Sequence, residues 1–272
     1  MSILPNRALT PSGQFKSHIV GALFAREFRA ALINRSFQIF CALGLAGGIA
    51  VAIFSEDATA AGVFYLQIGL YFVSLFALLA GVGSAQTERE EWPLLFSQPL
   101  PRPVYVVGKY CTLLSIFAGV LVLFFFPMLI VGQGSILGWL YLQTLLLTGA
   151  FLALGLGAGY FAHDRAQGLI VGVTAWLLLL FGVDLIALFA ARWSTMEKLP
   201  DLWVALLMLN PLDSFRIDAL FALQQIPAEA ANKTPLASWW IAHAGAWFAA
   251  IAAIWSVGLV ALAGLRLNRW EE

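Results

Sequence analysis

Charged residues are scarce in this chain. Only 11% of its 272 residues are Asp, Glu, Lys or Arg, against 61% hydrophobic, and the mean hydropathy is +0.86. Soluble domains carry about a quarter charged residues, so a water-soluble globule is excluded and an integral membrane protein is indicated. The few charges balance, 15 basic against 15 acidic, and no nucleic-acid partner is expected. Cysteine is scarcer still. Cys41 and Cys111 both lie in or beside apolar runs, which speaks against a disulfide framework and leaves them as small packing residues. The usual devices of catalysis are missing too. No Gly-x-x-x-x-Gly-Lys-Ser/Thr phosphate loop occurs; around Gly108-Lys109, Pro103 takes the first glycine's place and Tyr110 follows the lysine. His18, His163 and His243 are far apart, with no His-Glu-x-x-His spacing. Gly83-Ser84 lacks a complete nucleophile motif. Met128, Met196, Met208 and Cys41 are soft Cu(I) donors by type, but their spacing makes no site. The chain is therefore expected to be no enzyme, with no metal site and no bound cofactor. The opening stretch MSILPNRALTPSGQFKSH is polar and broken by Pro5 and Pro11, so no signal peptide is expected there.

Long apolar runs are abundant. A helix needs about 20 apolar residues to cross the roughly 30 Å hydrocarbon layer. Six runs qualify, at about 37–54, 62–85, 104–131, 136–161, 168–191 and 239–265. The expected fold is all-α and integral to the membrane, a single transmembrane domain over 1–272. Lys and Arg set its direction. With the N-terminus inside, eleven basic residues fall on the inner side and four on the outer. Both termini should then be cytosolic. Small residues recur at four-residue spacing, as in Gly44/Gly48, Gly155/Gly159 and Gly168/Gly172, a pattern that lets helices approach closely in lipid.

Three stretches outside the runs carry the remaining information. Residues 15–33 place Phe15, Ile19, Leu23, Phe24, Phe28 and Leu32 at a helical period, with Arg26 and Arg29 on the other side. This reads either as an interfacial helix lying on the inner leaflet or as a cytosolic extension of the first span. In the second-to-third connection, about 87–103, Glu88, Glu90 and Glu91 precede Trp92-Pro93, a combination that suits a helix start. Leu94, Leu95 and Phe96 then form an apolar ridge, and prolines stiffen the return to Arg102. A lipid-facing segment would more often be basic; acids plus a ridge suit a protein partner, the alternative being a solvated loop. The outer connection, about 192–238, is long for a loop without a role. It holds two short helical patterns broken at Asn210-Pro211, the first with Trp203 and the second with Phe215 and Arg216. Trp203 and Phe215 are the aromatic candidates for docking an outer partner. These helices form a docking or gating surface, in one reading a re-entrant pair. Asp184 is an acid inside the fifth run. Intramembrane acids are usually paired, and Arg192 or Arg216 is the candidate partner; a place in a transport path is the other reading.

Three motifs together resemble the ABC-2 type permeases. Arg26-Glu27-Phe28 followed by Asn34-Arg35-Ser36 is similar to that family's entrance to its first span. Glu88, Glu91, Leu94, Leu95, Ser97, Pro99, Leu100, Arg102, Tyr105, Gly108 and Lys109 are similar to its second-to-third segment, with Trp92-Pro93 in place of the usual Gly-Thr. Asn210-Pro211-Leu212-Asp213-Ser214-Phe215-Arg216, with Asp184, resembles the NosY branch from nitrous oxide reductase maturation. The resemblance implies a bacterial inner-membrane homodimer of six-span permeases. It also implies two cytosolic ATPase subunits, which hold the ATP and Mg, engaged through residues 15–33 and 87–103. Arg26, Glu27, Arg102 and the Glu88–Phe96 acids and ridge would carry that coupling. For the NosY branch it implies a β-helical periplasmic partner and a link to copper delivery. A lipid or drug exporter permease, or a scaffold that transmits ATPase motion without passing a substrate, are the alternatives.

Overall fold

The structure is a computed structural model that describes residues 12–55, 57–87, 102–130, 134–190, 200–225 and 235–268. Among these residues there are helices and no strands. In chain order they are α1 (Ser12–Ile33), α2 (Arg35–Phe54), α3 (Ala58–Thr87), α4 (Arg102–Ile130), α5 (Gly134–Phe161), α6 (165–190), α7 (Pro200–Leu209), α8 (Pro211–Ala222), α9 (Pro235–Ala242) and α10 (Ala244–Asn268). α2, α3, α4, α5, α6 and α10 are each long and apolar enough to cross a membrane. The protein is an all-α, multi-pass integral membrane protein.

Lipid tails are as apolar as leucine, so association of these helices relies on packing and on satisfied polar groups. α5 sits at the centre. Within its apolar window 78% of residues are buried, against 22% for α2 and 17% for α6, which lie at the edge. The closest seam joins α3 and α5. A Cβ on Gly155 would strike the Leu78 carbonyl, and one on Gly81 would lie 2.6 Å from the Leu152 oxygen. Glycine alone allows that approach. Two threonines of α5 bond within their own helix, Thr144 donating to the Leu140 carbonyl at 2.8 Å and Thr148 to Thr144 at 2.7 Å, whereas Tyr141 donates across to the Ala118 carbonyl of α4 at 3.1 Å. A ring cluster ties α2 to its neighbours, with Phe40 at 4.8 Å from Phe76, 5.5 Å from Phe117 and 5.1 Å from Phe124. Cys41 and Cys111 are free thiols.

α1 and α2 part at Asn34, whose side chain accepts from the Ser36 amide at 2.9 Å and caps α2. On α1, Phe24, Phe28 and Leu32 form an exposed stripe at four-residue spacing. One run differs from expectation. Residues 239–265 read as one span, but α9 ends at Ala242 and α10 begins at Ala244, with a turn at His243. Hydropathy is continuous across that turn, so composition alone hides it. Trp240 belongs instead to a small second core with Met208 and Ala244.

Two spans contain wide π turns, Ile68–Val73 in α3 and Leu178–Gly182 in α6. Such turns leave backbone carbonyls for other donors and often sit at functional sites. Next to these turns, Trp176 Nε1 of α6 donates to Ser74 Oγ of α3 at 3.0 Å.

Candidate functional site

At the N-terminal side of the bundle, α1 is locked to α3 and α4 by one buried acid. The Glu27 side chain is 8% exposed and the Lys109 side chain 1%. Lys109 Nζ lies 3.6 Å from Glu27 Oε1 and donates to the Ser84 carbonyl at 2.9 Å. Ser84 Oγ donates to Glu27 Oε2 at 3.3 Å, and Arg26 Nη2 stands 3.7 Å from Glu27 Oε1. Three elements thus share one polar joint at the level where α3 ends and α4 begins. A buried ion pair gains little over an apolar pair, yet breaking one side of it is costly, so the joint specifies where α1 docks. Nearby, Arg102 donates to the Leu267 carbonyl at 2.8 Å and to Asn268 at 3.3 Å. It thereby caps the C-terminal end of α10, where a cation also complements the helix dipole. Glu88, Glu90, Glu91, Leu94, Leu95 and Phe96 lie outside the described residues.

The opposite side is built on Asn210. Its Oδ1 accepts from the Leu212 amide at 3.1 Å and caps α8, with Pro211 at the first helical position. Its Nδ2 donates to Asp213 Oδ2 at 2.6 Å and to the Leu179 carbonyl at 2.5 Å. Leu179 lies in the π turn of α6, so the side chain of Asn210 uses a carbonyl in that widened turn. The α7–α8 hairpin is thus tied to the widened turn of α6. Ser214 Oγ and Trp247 Nε1 both donate to the Met208 carbonyl, at 2.9 and 2.8 Å, and Trp255 Nε1 reaches Leu209 at 3.3 Å. These donors satisfy carbonyls that the end of α7 would otherwise leave open.

The structure brings four residues read from sequence, Asp184, Asn210, Asp213 and Arg216, to this one place. Arg216 Nη1 lies 3.9 Å from Asp184 Oδ2, with side chains 48% and 58% exposed in the chain alone; Arg192 lies outside the described residues. Phe215 requires a correction. It was expected to anchor an outer partner, but it is 0% exposed and packs against Phe248 at 5.6 Å between ring centres, beside Gly69. It holds α8 to the bundle and offers no docking face. Trp203 is half-buried, whereas Asn210, Pro211 and Asp213 are buried.

Sequence reading missed Asp218 and Gln143. Asp218 is 5% exposed and Gln143 4%, and both stand beside Gly245 at the start of α10. Burial pushes the Asp218 carboxyl up to about 7. Burial also raises Asp213, to about 6, against the pull of its bond from Asn210. Lys109 was read only as part of a motif, because nothing in sequence places residue 27 against residue 109. Among the described residues, no three His, Cys, Asp or Glu side chains gather as a metal site.

A family model described as ABC-2 family transporter protein matches residues 17–271. The chain belongs to the ABC-2 family of transporter proteins. No curated protein matches it. As an ABC-2 family member it is the membrane component, a permease subunit, of an ABC transporter. The ATPase of such a transporter is a separate subunit with which the permease associates.

Proposed function

We propose that this permease works as a homodimer in the bacterial inner membrane, both termini cytosolic, with two ATPase subunits bound at its inner face. ATP and Mg are held by those subunits. The acids and ridge of residues 87–103, together with α1, form the coupling element that converts nucleotide-driven closure into movement of α3 and α4. One observation carries this reading: the buried joint of Glu27, Lys109 and Ser84 links α1 to the two helices that flank residues 88–101. A push on either α1 or that connection reaches α3 and α4 through charged groups that are costly to separate. The eleven-to-four distribution of Lys and Arg supports the cytosolic placement.

The finer reading is a NosY-like permease whose outer segment meets a β-helical periplasmic partner in copper delivery. What favours it is the gathering of Asn210, Asp213 and Arg216 with Asp184, the residues that carry the branch resemblance. In this reading the outer partner handles the copper. Trp203 and Arg216 face that partner, while Asn210 and Asp213 position the hairpin as a gate. Purification of the complex from native membranes tests both levels, with every copurifying subunit identified. An ATPase together with a β-helical protein is the expected set. An ATPase alone would favour a lipid or drug exporter, and no ATPase would overturn the coupling proposal.

A further inference from the structure

Two of the acids near the hairpin are matched. Asn210 donates to Asp213, and Arg216 of α8 stands 3.9 Å from Asp184 of α6. Asp218 is different. It is 5% exposed on α8, and Gln143 on α5 is 4% exposed; α8 packs against both α5 and α10. A Cβ on Gly245 of α10 would lie 3.4 Å from Gln143 Nε2 and 3.6 and 3.7 Å from the two Asp218 oxygens. Three elements therefore enclose one small polar space. Asp218 Oδ2 and Gln143 Oε1 are buried with no hydrogen-bond partner among the described residues. Both are acceptors when the acid is ionised, and leaving buried acceptors unpaired is costly. A protonated carboxyl resolves this, because its O–H is a donor.

We propose that Asp218 and Gln143 form a proton-binding latch, in which a protonated Asp218 donates to the Gln143 amide oxygen and fastens α8 to α5. An ionised Asp218 would need a cation instead. On α8, Arg216 is turned to Asp184 of α6. α7 brings the exposed Asp201, and the turn before α10 brings the exposed His243, whose ring stacks on Trp239 at 5.0 Å. α10 itself has no titratable residue before Arg266. The other titratable groups on α5 and α3 are tyrosines: Tyr141 donates to the Ala118 carbonyl, Tyr65 to that of Phe124, Tyr71 is exposed, and Tyr160 lies seventeen residues along α5 from Gln143. Burial alone pushes the Asp218 carboxyl up to about 7, in keeping with this arrangement. On release the O–H bond breaks, its electron pair stays on the carboxylate and the proton passes to water. The charge left behind is buried without a counter-charge, and it is relieved when α8 moves the acid into water. The hairpin, read above as a gate, is thereby made sensitive to pH. That gating role rests on the proposed function; the latch does not.

Infrared difference spectra between pH 5 and pH 8, taken on the purified full-length chain in detergent, read the carbonyl stretch of a protonated carboxyl directly. Asp213 is also raised, to about 6, so the band to follow is the one lost in Asp218→Asn. It should be present at pH 5 and fade as pH rises through about 7. In Gln143→Leu it should move to higher frequency, because the O–H has lost its acceptor. Hydrogen exchange of the α8 amides, corrected for the intrinsic effect of pH, should quicken at least about tenfold from pH 5 to pH 8. In Asp218→Asn it should stay slow at both. A spectrum unchanged by Asp218→Asn, an unmoved band in Gln143→Leu, or α8 exchange independent of pH would overturn the proposal. So would slowing of that exchange at pH 8 by sodium, which would put a cation on the same two oxygens. Micelles have no sides and the purified chain has no partners, so this result stands apart from the proposed function, which copurification decides.

Discussion

Two buried carboxylates show how differently one residue type behaves in this protein. Glu27 has a lysine at 3.6 Å and a serine hydroxyl at 3.3 Å. Replacing Lys109 with Met removes the buried cation and leaves Glu27 facing the more exposed Arg26 guanidinium, 3.7 Å away. We expect that variant to lose about 3–5 kcal/mol, and Glu27→Leu combined with Lys109→Met to regain most of it. Thermal unfolding of the three proteins in detergent checks this; equal loss in single and double variants would mean the pair contributes nothing specific. Asp218 lacks such a partner. Its Oδ2 makes no hydrogen bond among the described residues, and its carboxyl is raised to about 7. The folded value lies above the ordinary value of about 4, so folding favours the protonated form. The stability it contributes is complete below about pH 4 and is lost as pH rises through about 7. Asp218→Asn should flatten the stability profile across that window and be more stable than the parent at pH 8, by on the order of 2–3 kcal/mol. Unfolding midpoints at pH 5 and pH 8 give the comparison, and an unchanged slope would contradict it.

The helices are held in place by close approach and by caps. A Leu at Gly155 would force α3 away from α5, since the obstacle is the Leu78 backbone. Loss of the folded, monodisperse protein is expected, while Gly258→Leu, where a Cβ meets nothing within 4 Å, should be tolerated. Asn210→Ala removes the cap of α8 and the bond to the π turn of α6 together. It should cost about 1–3 kcal/mol and increase protease cleavage in α7–α8 under native conditions. Much of this architecture was legible in advance. Runs of about 20 apolar residues announce spans because the bilayer fixes their length, and Asn-Pro announces a helix start wherever it occurs. The break at His243 was not legible, because the residues on both sides are apolar and the turn comes from packing of Trp240 and Trp247 against α7. The burial of Phe215 was hidden for a related reason. Helical spacing assigns a residue to a face of α8, but only the contacts with Phe248 and Gly69 tell which way that face points. The Glu27–Lys109 joint joins residues on separate helices, and single-sequence periodicity carries no information about such pairs.

At the scale of the whole molecule, the orientation and the coupling route belong together. A cysteine at Ala60, exposed at the start of α3, should react only from outside in intact cells, and one at Gln98 only after the inner face is exposed. External labelling at Gln98 would overturn the six-span path. In the proposed complex the ATPase grips this permease at the connection around 88–101. In sequence, Leu94, Leu95 and Phe96 follow Glu88, Glu90 and Glu91, and in the proposed arrangement those acids hold the start of the ridge at the water boundary. A ridge in that position is stabilised only when something covers it, and covering two such side chains contributes roughly 3–6 kcal/mol before ordering costs. Acids placed in that dry contact would lack partners. The most direct measurement is ATPase copurification with the Leu95→Asp, Phe96→Asp double variant, alongside a check of membrane insertion. Normal insertion and loss of the ATPase are expected. Undiminished ATPase binding by the inserted double variant would contradict the proposed grip.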